Sequence, residues 1–167
     1  MATLPIGPHR IEEMMRYVVD LAKRMIEAHG AFYPFGAIID ASGERRPVTG
    51  DAGRPDASTA DVYRLIQRSM RAQYRSNEIV AGCIAAVAAM PPELGSPHKD
   101  AIRITVESAS ISRLVFVPFK VTPRGAGVSD EAPAFTCEFG EYLGVNVLPS
   151  LFVDTEVPPE AGPAKRG

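Results

Sequence analysis

The sequence contains little of the side-chain chemistry that builds metal sites and disulfide frameworks. It has no tryptophan, two cysteines and three histidines among 167 residues. Cys83 and Cys137 form no C-x-x-C pair, and no histidine has another histidine two or four residues away. These absences exclude a disulfide scaffold and the common zinc motifs. We therefore expect two reduced, buried thiols, no metal site and no cofactor.

The chain also lacks a long hydrophobic run. Its longest apolar stretch, residues 79–90, consists mostly of alanine and is shorter than the roughly 20 residues that a membrane-spanning helix needs. Residues 1–5 contain no basic segment followed by an apolar run, as a secretory leader would. We therefore expect a cytoplasmic protein that does not associate with membranes.

A large excess of one charge is likewise missing. The formal net charge is −2, which argues against a generally nucleic-acid-binding surface. A hydrophobic content of 46% and a charged content of 23% are ordinary for a globular protein. The length predicts a single domain, which we place at residues 1–154, with residues 155–167 as a flexible C-terminal tail.

Two segments have the spacing of amphipathic helices. Residues 8–29 repeat apolar side chains every three or four positions, and Gly30 follows as a C-terminal stop. The second helix, residues 58–75, begins at Ser58, an N-cap residue with Asp61 three positions later. Its inner face is expected to contain Val62, Leu65, Ile66, Ser69 and Gln73.

Strand patterns occupy most of the remaining chain. The segments are residues 32–39, 44–49, 79–90, 101–108, 114–121 and 135–143. Small residues on both faces of 79–90 indicate a central strand, although their high alanine content also suits a helix. Pro34 and Pro47 indicate an edge. Because long parallel crossovers are few, the order predicts an α+β fold. We expect a mostly antiparallel sheet of about five to six strands with two main helices packed on one face.

Four arginines on the second helix are the most unusual feature of the predicted surface. At about 100° per residue they form one narrow stripe opposite the apolar side chains. Like charges at this spacing destabilise a helix by about 0.2–0.5 kcal/mol per pair. The stripe therefore indicates either an anionic partner or a solvated face partly neutralised by Asp61. Its members are Arg64, Arg68, Arg71 and Arg75.

No familiar catalytic motif occurs in the sequence. G-x-S-x-G, H-E-x-x-H and phosphate-binding glycine loops are all absent. His98, Lys99 and Asp100 precede a strand and suit either acid–base chemistry or a polar turn, and we interpret them as a turn. One alternative is a ligand pocket on the sheet, formed by Tyr33, Arg103, Glu107 and Cys137.

Two stretches of the chain resemble a group of small bacterial α+β proteins of unknown function. The first is FYPFGAIID, residues 32–40, directly after the long first helix, and the second is DAIRITVE, residues 100–107. The resemblance covers most of residues 10–143 and implies a shared fold, but it carries over no active site. In topology alone, the element order is similar to roadblock and longin-type modules, which dimerise and bind protein partners.

These features predict a non-catalytic cytoplasmic module for protein interaction or regulation. It would act through a protein partner or by self-association as a homodimer, and the arginine stripe would suit an anionic partner. The alternative is a small-molecule-binding protein, or an enzyme without a familiar motif, with a pocket near Tyr33, Arg103 and Glu107. An enclosed apolar pocket with converging polar groups favours this alternative, and a flat apolar patch beside the arginines favours the module.

Overall fold

The computed structural model describes residues 7–49, 58–125 and 133–147, and it begins with a long helix, α1 (Pro8–His29). Gly30 adopts a left-handed backbone with φ 81°, and its N–H donates to the carbonyl of Ile26, which ends the helix as the sequence predicts. The apolar spacing becomes a single buried stripe of Ile11, Met14, Val18, Val19, Ala22 and Ile26.

The described residues form one antiparallel sheet of seven strands. The strands are β1 (Phe35–Asp40), β2 (Arg45–Thr49), β3 (Ile79–Ala89), β4 (Asp100–Ser108), β5 (Ser112–Pro123), β6 (Phe135–Phe139) and β7 (Leu143–Asn146). Their order is β2–β1–β3–β4–β5–β6, and β7 pairs with β5. Residues 79–90 therefore supply the central strand that the sequence indicates, since β3 lies between β1 and β4.

A single carboxylate organises the turn between β1 and β2. Asp40 Oδ1 accepts hydrogen bonds from Ser42 Oγ at 2.6 Å and from the backbone N–H groups of Ser42 and Glu44, both at 2.9 Å. These bonds, led by the Ser42 hydroxyl, hold the pKa of Asp40 below its ordinary value of 3.8. The Arg10 guanidinium of α1 donates to the carbonyl of Gly43, so the turn is also fixed to the first helix.

The second helix, α2 (Thr59–Arg75), begins as the sequence predicts but is rotated about its axis. Ser58 Oγ accepts a hydrogen bond from the Asp61 N–H at 3.1 Å, which confirms the N-cap. Met70 is buried, whereas Leu65 is 37% exposed and Ser69 also faces solvent. The buried side of α2 is Val62, Ile66 and Met70, which corrects the inner face expected from the sequence.

Gly36 explains part of this rotation. A Cβ built at Gly36 would lie 2.8 Å from Met70 Cε, so the methionine methyl group occupies the space that a side chain would fill. The same Cβ would overlap the backbone carbonyl oxygen of Cys83 on the neighbouring strand. A residue without a side chain is therefore required where α2 meets β1 and β3.

The two helices pack against opposite faces of the sheet. On β1, α1 packs against Phe35, Ala37 and Ile39, whereas α2 packs against Ile38. Successive side chains of a strand point to opposite faces, so the helices cannot share one face. The α+β class and the antiparallel sheet are confirmed, and the expectation that both helices pack on one face is corrected.

The end of the described chain also differs from the expectation. The single strand predicted for residues 135–143 is divided into β6 and β7. Both pair with β5, β6 along its C-terminal part and β7 along its N-terminal part. The expected domain boundary at residue 154 and the tail at 155–167 lie outside the described residues.

Candidate functional site

The four arginines of α2 form a surface on the side of the helix that faces away from the sheet. At about 100° per residue they fall within an arc of about 60°, opposite the buried side chains of Val62, Ile66 and Met70. Arg64, Arg68 and Arg75 are exposed, and Arg71 is half-buried. We call Arg64, Arg68, Arg71 and Arg75 the arginine surface.

The members of the arginine surface differ in their contacts with the rest of the protein. Arg64 Nη1 lies 4.0 Å from Asp61 Oδ1, at the limit of an ion pair, and both side chains are about half exposed to solvent. Arg71 and Arg75 also interact with other groups of the protein. Arg68 forms no ion pair with any residue that the structure describes. Arg68 is therefore the exposed member that is left without a counter-ion among the described residues.

The structure does not bring together the four residues of the pocket expected from the sequence. Tyr33 precedes β1 and is 60% exposed. Cys137 belongs to the core beneath α1. Arg103 and Glu107 lie on the other face of the sheet, because they alternate along β4 with residues that pack against α1. The sheet itself therefore lies between Cys137 and the side chains of Arg103 and Glu107.

Arg103 and Glu107 belong instead to a polar row on β4, on the face that α2 covers. Thr105, between them, shares a hydrogen bond of 3.0 Å with the Tyr63 hydroxyl of α2. Arg103 Cζ lies 5.7 Å from the centre of the Tyr63 ring, in the range of a cation–π contact. Glu107 is only 1% exposed and interacts within the protein. Tyr63 therefore fixes α2 to a polar strip of the sheet.

Tyr33 lines a largely apolar cavity of about 690 Å³ at the end of α1. Phe32 and Phe35 meet edge to face there, with their ring centres 5.4 Å apart at an angle of 69°. Thr49 and Thr59 also line it. This aromatic cavity is large enough for a small organic molecule or an apolar side chain of a partner. Its remaining lining residues are Met25, His29, Ala31 and Pro34.

A second cavity, of about 620 Å³, has a different chemistry. Its lining includes the polar residues His98, Lys99, Asp100 and Lys120 and the apolar residues Val87, Phe119 and Val121. The segment before β4 is a turn, as the sequence predicts, since the His98 N–H donates to Ser96 Oγ at 3.1 Å. Lys120 escaped the sequence analysis because only the pairing of Asp100 with Phe119 brings it to this turn.

Both cysteines are free and buried, as the sequence predicts. Burial raises the pKa of the Cys83 thiol to about 12 and that of the Cys137 thiol to about 11. Both groups are therefore protonated at neutral pH. Because the thiolate is the reactive form, neither cysteine suits nucleophilic catalysis.

Comparisons with known proteins assign no relative to this chain. No protein-family model, no curated protein and no solved structure matches it. Among residues 7–49, 58–125 and 133–147, no group of three or more His, Cys, Asp and Glu side chains is placed to hold a metal ion. Neither helix in this part of the chain has an apolar stretch that would span a bilayer.

Proposed function

We propose that this protein is a non-catalytic cytoplasmic interaction module that binds an acidic protein surface through its arginine surface. The observation that supports the proposal is the position of the four arginines opposite the buried side of α2. Like charges on one helix face reduce the stability of the helix. Guanidinium groups can form paired hydrogen bonds with carboxylates. An acidic partner would therefore relieve the repulsion between the arginines, and this would add to the binding affinity.

A charge-reversal variant tests the proposal. Arg64 and Arg68 are exposed and lie one helical turn apart on α2, so R64E/R68E should fold normally and lose the acidic partner. The matched control is R16E/R24E, which reverses two exposed arginines on α1 and changes the formal charge equally. Circular dichroism and thermal unfolding check that both variants fold.

The measurement is quantitative capture of proteins from the native lysate at low and at physiological salt. We expect proteins retained by the wild type and by R16E/R24E to be lost with R64E/R68E. The difference should be greater at low salt, where surface charges are least screened. If a folded R64E/R68E protein retains the same proteins as the wild type, the arginine surface is only a solvated face of α2.

The aromatic cavity supports a second candidate function, the binding of a small apolar molecule. The supporting observation is that Tyr33, at 60% exposure, is the most exposed large hydrophobic side chain that the structure describes, and it lines this cavity. Tyr33→Ala should then weaken binding of a fluorescent apolar probe such as anilinonaphthalene sulfonate. Tyr142→Ala is the control, because Tyr142 is also half exposed but lies outside the cavity. Equal probe binding by both variants would contradict this function.

A further inference from the structure

Two backbone hydrogen bonds establish how β6 is oriented at the edge of the described sheet. The N–H of Gly140 donates to the carbonyl of Pro118, and the N–H of Arg124 donates to the carbonyl of Ala134. Both bonds follow the register in which β5 pairs with β6. In an antiparallel pair, residues that hydrogen-bond to the neighbouring strand alternate with residues that do not. Even-numbered residues of β6 therefore bond to β5, and odd-numbered residues present their N–H and carbonyl groups to the outer edge.

The outer edge of β6 is open to pairing in the part of the chain that the structure describes. β6 pairs there with β5 alone, so no described strand lies along its other side. Each outward-facing residue offers both an N–H donor and a carbonyl acceptor, since none of them is proline. These residues are Phe135, Cys137 and Phe139.

The opposite edge of the described sheet is protected against such pairing. The Asp40 N–H donates to the Glu44 carbonyl, which fixes the alternation along β2. Its outward-facing residues are therefore Arg45, Pro47 and Thr49. Pro47 stands at the centre of the three and has no N–H to donate, and the exposed Arg45 adds a charge. Proline and charge are common means of preventing edge-to-edge association, so β6 is the edge at which this sheet can be extended.

We propose that β6 pairs antiparallel with β6 of a second copy of this chain, so that the two sheets become one continuous sheet across a two-fold axis. With Cys137 opposite Cys137 of the second copy, Phe135 lies opposite Phe139, and all three outward-facing residues exchange hydrogen bonds. Any other register leaves at least one of them unpaired. Each copy thereby satisfies backbone groups of the other that the described sheet leaves open.

The side chains of β6 suit pairing of the strand with itself. Phe135 and Phe139 share the α1 face with Cys137 and are half-buried. In the dimer, each of these rings would lie beside the other ring from the second copy, an aromatic pair of the kind that stabilises neighbouring strands. On the other face, Glu138 would lie opposite Thr136 of the second copy, so no two carboxylates of this strand face each other.

Sedimentation velocity on the full chain tests for the second copy. We expect a reversible monomer–dimer equilibrium whose dimer fraction rises with protein concentration. R64E/R68E should dimerise as the wild type does, because the β6 interface shares no residue with the arginine surface. The dimer and the binding of an acidic partner can therefore fail independently. A protein that remains monomeric up to millimolar concentration would overturn the proposal.

Amide hydrogen exchange identifies the strand through which the copies associate. The N–H groups of Phe135, Cys137 and Phe139 should be protected at concentrations that favour the dimer and should lose protection on dilution. The N–H groups of Arg45 and Thr49 also face outward, but on β2, and provide the matched control. They should exchange equally fast at both concentrations. A dimer in which the three β6 amides stay unprotected would place the contact elsewhere and contradict the proposal.

An exchange of charges across the two-fold axis tests the register. T136E places a carboxylate opposite Glu138 of the second copy on both sides of the axis, and should weaken the dimer about threefold or more at low salt. T136E/E138K turns each repulsive pair into an attractive one and should restore the affinity.

The matched control for the register is T49E. It adds the same charge at an exposed position on β2, and it should change the affinity of the dimer less than about twofold, because a distant exposed charge is screened. Circular dichroism checks that all three variants fold. Equal effects of T136E and T49E, or no recovery in T136E/E138K, would contradict the pairing of Thr136 with Glu138 and with it the proposed interface.

Discussion

The two faces of the sheet differ in how they are covered. Beneath α1, apolar side chains continue across the strands from β1 to β6. Beneath α2, the apolar cluster is smaller and is followed on β4 by the polar row of Arg103, Thr105 and Glu107. The first face can be stabilised by hydrophobic burial alone, whereas the second depends on particular contacts at Tyr63 and Gly36. The α1 face therefore supplies most of the hydrophobic stabilisation, whereas specific contacts on the α2 face fix the position of the second helix.

Equivalent truncations on the two helices test this difference most strongly. Ile26 of α1 and Ile66 of α2 are both almost completely buried. Each change to alanine should destabilise the protein by about 2–5 kcal/mol, with Ile26→Ala at the upper end because its cavity lies in the larger core. Chemical denaturation measures both free energies of unfolding. A larger loss for Ile66→Ala would reverse the comparison.

The close approach of α2 to the sheet predicts a second, smaller effect. Gly36→Ala should destabilise the protein by about 1–3 kcal/mol, because the added Cβ meets both Met70 and the Cys83 carbonyl oxygen. The cost should persist in a Met70→Ala background, since the clash with the backbone remains. An unchanged free energy of unfolding would show that the glycine is not required for the position of α2.

The hydrogen bond between Tyr63 and Thr105 sharpens the role of the polar row. Tyr63→Phe leaves Thr105 without this partner and should cost about 1–3 kcal/mol if no water replaces the hydroxyl. The double variant Y63F/T105V should recover part of the loss, because it removes both polar groups. A double-mutant cycle with zero coupling energy would mean that this contact does not fix α2 to β4.

The turn at Asp40 predicts the smallest effect, visible as a dependence on pH. A pKa lowered from 3.8 in the folded state means that Asp40 contributes stability above that value, and that the contribution disappears as the pH falls through the folded-state pKa. The difference in unfolding free energy between the wild type and Asp40→Asn should therefore shrink with acidification. A difference that stays constant down to acid unfolding would contradict the lowered pKa.

Helices and strands can be predicted from the sequence where the spacing of apolar residues has a single clear period. The spacing in residues 8–29 gives α1, and the alternation of Ile102, Ile104 and Val106 with polar residues gives both faces of β4. The sheet face that each helix covers cannot be predicted from this spacing, because it depends on how the chain connects the helices to the strands. A signal was nevertheless present in the sequence, since Phe35–Ile39 is an uninterrupted run without polar residues, the pattern of a strand covered on both faces.

The candidate sites were harder to predict than the fold. The arginine surface follows from helical spacing, and its position opposite the buried side of α2 agrees with that spacing. The pocket of Tyr33, Arg103, Glu107 and Cys137 could not be tested by spacing, because its members lie on different elements and faces. Lys120 reaches the second cavity only through cross-strand register, which no short stretch of sequence contains.

Native-state hydrogen exchange tests the difference between the two faces most directly. Amides of α1 and of the central strand β3 should exchange only through global unfolding, because they belong to the large core. Amides in the middle of α2 should exchange through a local opening of lower free energy, since this helix buries fewer apolar side chains. If the amides of α2 exchange as slowly as those of α1, or more slowly, the conclusion that the α1 face provides most of the stability is contradicted.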